Sequence, residues 1–213
     1  MNGNTKIKRI LLIAAGVVLL TGIVIIMWLR GVFLPRWVTW KTGAFDYGSK
    51  AEVVLKHRRI TVNLKDSADA DPVWQSESGW LVSDCIIGDI DHDEEEEVIL
   101  LVWKRGSYGK YKPIWVENDE KTWSQHIFIY DYIDEKDDRL KPVWMSSKMG
   151  IEASDIRLDD EEKLHITTPE GKDTVWYWQS WGLTLIEGWL YEFLSDLFYI
   201  IDHSHRHIQM AVE

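Results

Sequence analysis

The sequence predicts an all-β domain of two to two-and-a-half four-stranded antiparallel units, carried on an N-terminal transmembrane helix and followed by a C-terminal amphipathic helix. Three observations predict it. One uncharged apolar run of 20 residues, Ile10 to Leu29, lies near the N-terminus. Downstream, short segments rich in Ile, Val, Trp and Tyr alternate with charged or Gly-containing turns, the pattern of strands and hairpins. The chain also repeats itself. Asp71-Pro72-Val73-Trp74-Gln75-Ser76 returns 70 positions later as Lys141-Pro142-Val143-Trp144-Met145-Ser146, and Val82-Ser83-Asp84 returns 71 positions later as Ala153-Ser154-Asp155. A fixed period containing several strands marks a repeated supersecondary unit.

Residues 1 to 9 form a short basic tail. The apolar run 10 to 29, at ~1.5 Å per residue, spans the ~30 Å hydrocarbon core of a bilayer. A cleaved signal peptide would have an apolar core of about 7–15 residues and a small-x-small site, and Met27-Trp28-Leu29-Arg30 offers neither. Lys6, Lys8 and Arg9 precede the run, and Arg30, Arg36 and Lys41 follow it, so the count of basic flanks is nearly balanced. The acid-free tail favours a cytoplasmic N-terminus. The expected location is the plasma membrane of a bacterium, crossed once, with the β domain extracytoplasmic and Trp28, Trp37 and Trp40 at headgroup level.

Residues 30 to 50 read as a juxtamembrane linker. From residue 42 onward, 18 basic residues face 35 acidic ones, a net charge of −17. Such a surface repels nucleic acid. The lone Cys85 lies in an apolar run, permits no internal disulfide and reads as a small buried side chain.

The β domain is placed at 51 to 187. An incomplete first unit comprises 51 to 64 and the strand around Trp74. The second has strands at 82–90, 98–103, 126–132 and 140–146, with a charged hairpin tip at 133 to 139. The third has strands at 153–158, 163–168, 173–179 and 183–187. Four units are the usual minimum for ring closure, so a compact two-sheet domain is expected, its edges covered by a neighbouring unit or an added helix.

Between the first two strands of the second unit lies Asp89-Ile90-Asp91-His92-Asp93-Glu94-Glu95-Glu96-Glu97. Alternating carboxylates on a tight turn suit a hard cation such as Ca²⁺, which takes six to eight oxygens at ~2.3–2.6 Å. Asp89, Asp91 and Asp93 would coordinate by side chain, Glu95 by its carbonyl, and Glu97 would close the site. An EF-hand is excluded, because its twelfth position is Leu100 and an apolar strand follows. The competing reading is a solvated acidic turn.

The stretch GDIDHDEEEEVILLVW resembles the Asp-x-Asp-x-Asp-Gly-x-x-Glu loop of FG-GAP and VCBS repeats, the calcium-binding blades of integrin-type β-propellers. The likeness covers about one blade and implies propeller-like units with calcium on Asp89, Asp91, Asp93 and Glu97. At the sixth position, where the family uses Gly for its positive φ, this chain has Glu94.

Residues 104 to 125 are an insertion that the third unit lacks. It gathers Lys104, Arg105, Lys110 and Lys112 with Tyr108, Tyr111, Trp115 and Trp123 on an acidic domain. Long loops are usually functional or disordered. Cations beside aromatic faces would hold an anionic polymer or a sugar, unless the tryptophans pack across the strand ends and the lysines only solvate the loop. The wider stretch WKRGSYGKYKPIWVENDEKTWSQHIFIYDY also resembles an uncharacterised family of single-pass Gram-positive membrane proteins with one β domain. That likeness implies an accessory role beside poly-γ-glutamate or other envelope-polymer machinery.

In residues 188 to 213, Leu190, Phe193, Leu194, Leu197, Phe198 and Ile201 recur at helical spacing. The predicted helix would pack on the domain or lie on the membrane, and a tail with His203, His205 and His207 follows it. No nucleophile elbow, phosphate-binding loop or zinc-protease motif occurs. Two functions remain: a tethered module that binds an envelope polymer or membrane-protein partner, with structural calcium, or a metal-dependent envelope hydrolase using Asp89, Asp91 and Asp93.

Overall fold

A computed structural model describes residues 3–48, 51–65, 71–108, 112–132 and 140–186, and the chain divides after Val38 into two compact units. In the first, helix α1 (Gly3–Leu29) contains the stretch Ile7–Leu29, long and apolar enough to cross a membrane and unburied by protein. Its end is set by Gly31, whose φ of 66° only glycine adopts freely. There the Val32 amide donates to Met27 O at 3.0 Å and the Gly31 amide to Trp28 O at 3.1 Å, satisfying carbonyls of the last turn.

The second unit holds three four-stranded antiparallel sheets, each a simple meander. The first comprises β1 (Gly43–Tyr47), β2 (Ala51–Lys56), β3 (Arg59–Leu64) and β4 (Trp74–Gln75). The second comprises β5 (Leu81–Gly88), β6 (Glu97–Arg105), β7 (Trp123–Tyr132) and β8 (Leu140–Met145). The third comprises β9 (Asp155–Leu158), β10 (Leu164–Thr167), β11 (Asp173–Gln179) and β12 (Gly182–Ile186). The β2–β3 turn is a two-residue hairpin loop in which His57 and Arg58 take φ of 52° and 63°, the hand that matches strand twist.

Side-chain alternation divides the interior into two cores. On β6, Val98, Leu100 and Val102 meet Val53, Leu55, Ile60 and Val62 of the first sheet. Ile99 and Leu101 point the other way, toward Ile156, Leu164 and Ile166 of the third. The middle sheet is thus covered on both faces, which explains why β6 reads as an unbroken apolar run rather than an alternating one. A buried amide adds a polar latch: Gln125 donates to Ala153 O at 2.8 Å and accepts from the Ala153 amide.

The sequence repeat falls on equivalent places in these sheets. Ser76 and Ser146 end the two Pro-Val-Trp segments and make the same pair of bonds. Each donates its amide to the third strand, to Ile60 O and Ile127 O, and each hydroxyl accepts the amide of that same residue. Ser83 and Ser154 likewise donate their hydroxyls to the facing second strand, at Leu101 O and Thr167 O. The neighbouring aspartates, Asp84 and Asp155, converge on Lys41, each at 2.6 Å from its Nζ. Burial pulls the Lys41 ammonium down, but the bonds from Asp155 and Asp84 outweigh it and hold its pKa above the usual lysine value.

Two expectations are corrected. The first unit is complete, because β1 lies within 30–50, the stretch read as linker. The domain therefore has three sheets rather than two. β1 escapes the pattern because it is only five residues long and its burial is broken by exposed positions. The predicted helix at 188–202, the histidine tail and the charged tip at 133–139 lie outside the described residues.

Candidate metal centre and inserted loop

The β5–β6 connection folds around its own carboxylates. Asp89 accepts the amides of Asp93 and Glu94, both at 3.0 Å, and Asp93 accepts the Glu95 amide at 2.9 Å. His92 and Glu94 take φ of 63° and 73°. Glu94 thus adopts the left-handed backbone for which glycine is usual, at the cost a Cβ brings there.

Glu97, the first residue of β6, is 1% exposed, and its Oε2 accepts the Ile90 amide at 2.9 Å. Oxygens of Asp89, Asp91 and Glu97 lie within 4.8 Å of one another. Asp91 Oδ1 is buried and has no hydrogen-bond partner among the described residues. Burial, followed by the Asp91 charge, pushes the Glu97 carboxyl up to about 8. Asp91 is also raised, by burial and then by Asp93, Asp89 and Asp131. An orphaned buried carboxylate oxygen among like charges is costly, and a divalent cation would remove that cost. Asp89, Asp91 and Glu97 are the residues that could together hold a cation. The Asp93 carboxylate is exposed outside this group and accepts the Glu95 amide.

No family model, curated protein or solved structure matches this chain.

Sequence reasoning missed two acids near this loop. Asp131 of β7 acts electrostatically on Asp91, and Glu162 of the β9–β10 turn on Asp89. Proximity of this kind has no signature in the chain, although the matching place of the two loops in the repeat points toward Glu162.

The inserted loop is tied at its base. Asp119 accepts the amides of Ser107 at 2.8 Å, Tyr108 at 3.1 Å and Glu120 at 2.9 Å. Gly106 has φ of 91°, and a Cβ there would stand 2.3 Å from Asp119 Oδ2. Lys104 is turned inward, 9% exposed, and donates to Gly106 O at 3.0 Å. Burial lowers its pKa. Lys104 thus belongs to the loop's foundation rather than to a basic surface.

Ser124 donates to the same Gly106 carbonyl and contacts His126 Nε2 at 2.9 Å. Burial holds the His126 imidazole neutral, with its pKa lowered to about 4. This Ser–His pair lies in the core and serves structure.

The far end of the loop is held open. The Val116 amide donates to Pro113 O at 3.0 Å and the Lys112 ammonium donates to Val116 O, closing a turn. On that turn Ile114 is 97% and Trp115 80% exposed. Tyr108 and Arg105 are exposed at the loop's start, and Trp123 is half-buried opposite Arg105 on β7. Lys110 and Tyr111 lie outside the described residues.

Proposed function

We propose that the chain is a membrane-anchored binding or scaffold module of a bacterial plasma membrane, with its N-terminus cytoplasmic and its three sheets outside. The inserted loop meets an envelope polymer of the poly-γ-glutamate kind or a membrane-protein partner, and calcium stiffens the 89–97 loop. The observation that carries this reading is the Ile114–Trp115 pair, exposed on a turn fixed by two hydrogen bonds. A pre-ordered aromatic loses little freedom when a partner covers it, and tryptophan is among the residues that most often dominate binding energy. The helix Gly3–Leu29 supports the anchor. The hydrolase alternative needs an open metal position with a base beside it, and Asp93, one of the three aspartates it calls on, is exposed, bonded to the Glu95 amide and outside the Asp89–Asp91–Glu97 group.

Trp115→Ala tests the loop. Binding of the full chain to isolated cell-envelope polymer or to its captured membrane partner should weaken by about 2 kcal/mol, with stability kept within about 0.5 kcal/mol. Unaltered binding would remove the loop from the interface.

A further inference from the structure

The β11–β12 connection is a two-residue turn that holds an indole in solvent. Ser180 takes a φ of 59°, a backbone its Cβ makes costly, and the Trp181 amide donates to Gln179 O at 2.6 Å. Trp181 itself is 82% exposed. Backbone strain persists where the surroundings impose it and gathers at binding sites.

This turn forms one wall of a cleft of about 450 Å³ between the second and third sheets. The opposite wall is Trp144 of β8, whose place follows the repeat. Its counterpart Trp74 packs on Tyr130, on the third strand of the next sheet, with ring centroids 5.1 Å apart. Trp144 packs edge-on against Trp178, again on the third strand of the next sheet, at 6.4 Å. Gly182 makes room for it, since a Cβ there would stand 2.9 Å from Trp144 Nε1. Trp144 is thus a half-buried indole fixed by packing, whereas nothing in the packing calls for the indole of Trp181.

The rest of the lining is uncharged and mostly polar. Among the described residues it comprises Gln179, Ser180, Gly182, Leu183 and Thr184. The Gln179 side-chain oxygen accepts from Tyr177 Oη at 3.1 Å and from Thr184 Oγ1 at 3.3 Å. Its amide nitrogen, which carries two N–H donors, has no partner among the described residues. A ligand that matches this cleft has an apolar face for the indole, acceptors for the amide and no net charge.

We propose that the cleft binds a neutral chain of equatorially substituted hexopyranoses, of glucose or N-acetylglucosamine units, with one ring stacked on Trp181. Axial C–H groups give such a ring an apolar face that an indole covers, and its rim of hydroxyls or acetamides needs polar partners of the kind that Gln179, Ser180 and Thr184 carry. A cleft of this volume lies in the ordinary range for small ligands. The lack of a cation among the described lining residues separates it from the inserted loop, read above as a surface for an anionic polymer or a membrane-protein partner. The proposal does not depend on that reading, and either can fail alone.

The test titrates cellotetraose and tetra-N-acetylchitotetraose into the full chain by calorimetry, in a detergent without a sugar headgroup. At least one should bind, and Trp181→Ala should weaken it by about tenfold or more with the melting temperature unchanged. Trp181→Phe, which keeps a ring, should recover part of the affinity. Gln179→Glu, which keeps the acceptor and removes the N–H donors, should weaken binding by about fivefold or more. Trp115→Ala should bind as the wild type does, and poly-γ-glutamate should not compete. Silence of both tetrasaccharides at millimolar concentration, or wild-type affinity in Trp181→Ala, would overturn the proposal. So would competition by poly-γ-glutamate, which would make the cleft a site for anionic chains. Trp181-dependent self-association by light scattering, in place of sugar binding, would make it a contact between copies and overturn it equally.

Discussion

Replacing Lys41 by Met should destabilise the β domain through a single buried acid. Asp84 and Asp155 both lie 2.6 Å from the Lys41 ammonium, but their side chains are 4% and 45% exposed. At an effective dielectric of about 20, each contact has a gross attraction of roughly 6 kcal/mol, most of it offset by desolvation. The half-exposed Asp155 pair contributes about 0–1 kcal/mol. Asp84 is different: without Lys41 its carboxylate keeps only the Cys85 amide, at 2.8 Å, and burial already holds its pKa above the usual carboxylate range. Orphaning a buried charge costs about 3–5 kcal/mol, and the partial exposure of Lys41 argues for the lower end, about 3 kcal/mol. For a domain of this size, about 2–4 °C per kcal/mol, the melting temperature should fall by roughly 6–12 °C, read by tryptophan fluorescence of the full chain in detergent. Lys41→Met combined with Asp84→Asn should recover most of the loss, because the pair is removed as a unit. A loss under about 0.5 kcal/mol in Lys41→Met, or no recovery in the double variant, would refute the assignment of this cost to Asp84.

In EDTA, stability should fall as pH rises from about 6.5 to 8. Glu97 holds its proton up to about 8 in the fold and releases it near 4.5 when unfolded, so the unfolded state binds fewer protons across that window. The loss should reach about 1–1.5 kcal/mol by urea unfolding and vanish in Glu97→Gln. An equal slope in that variant would place the titration elsewhere. His126 works in the opposite sense, between its folded value of about 4 and its unfolded value of 6.5, and so stays below the window. Gly106→Ala combines a strained positive φ with displacement of Asp119. It should cost about 2 kcal/mol and open residues 107–122 to limited proteolysis, and a cleavage pattern like that of the wild type would contradict the role given to Asp119.

Most strands are legible because burial writes a period into them. The second-sheet run Val98 to Val102 is apolar throughout because two cores claim alternate residues, and Pro-Val-Trp-x-Ser recurs because the serine completes a strand pair twice. β1 is illegible for the converse reason: it is short and half-exposed, and only its pairing with β2 defines it. At the acidic loop, the spacing of Asp89 and Asp91 from Glu97 is readable, since the turn brings near neighbours together. The outward turn of Asp93 depends on the Glu95 amide, a detail no spacing encodes. Lys104 shows a further limit. A lysine among the basic residues of the insertion reads as surface, yet this one lies near the end of β6, buried and sharing the Gly106 carbonyl with Ser124.

The meander order of the strands has a consequence for synthesis. Every strand in the three sheets pairs with its neighbour in sequence, so each sheet can be completed as soon as its own residues have emerged, without waiting for distant partners. Such local pairing keeps the entropy cost of loop closure small and folding fast. A chain delivered from its N-terminus could assemble the first sheet, lay the second upon it and then the third. The apolar face of the middle sheet that awaits the third, Ile99, Leu101, Ile127 and Ile129, would be the last adhesive surface left uncovered, and the stage at which a nascent chain most needs protection from its neighbours.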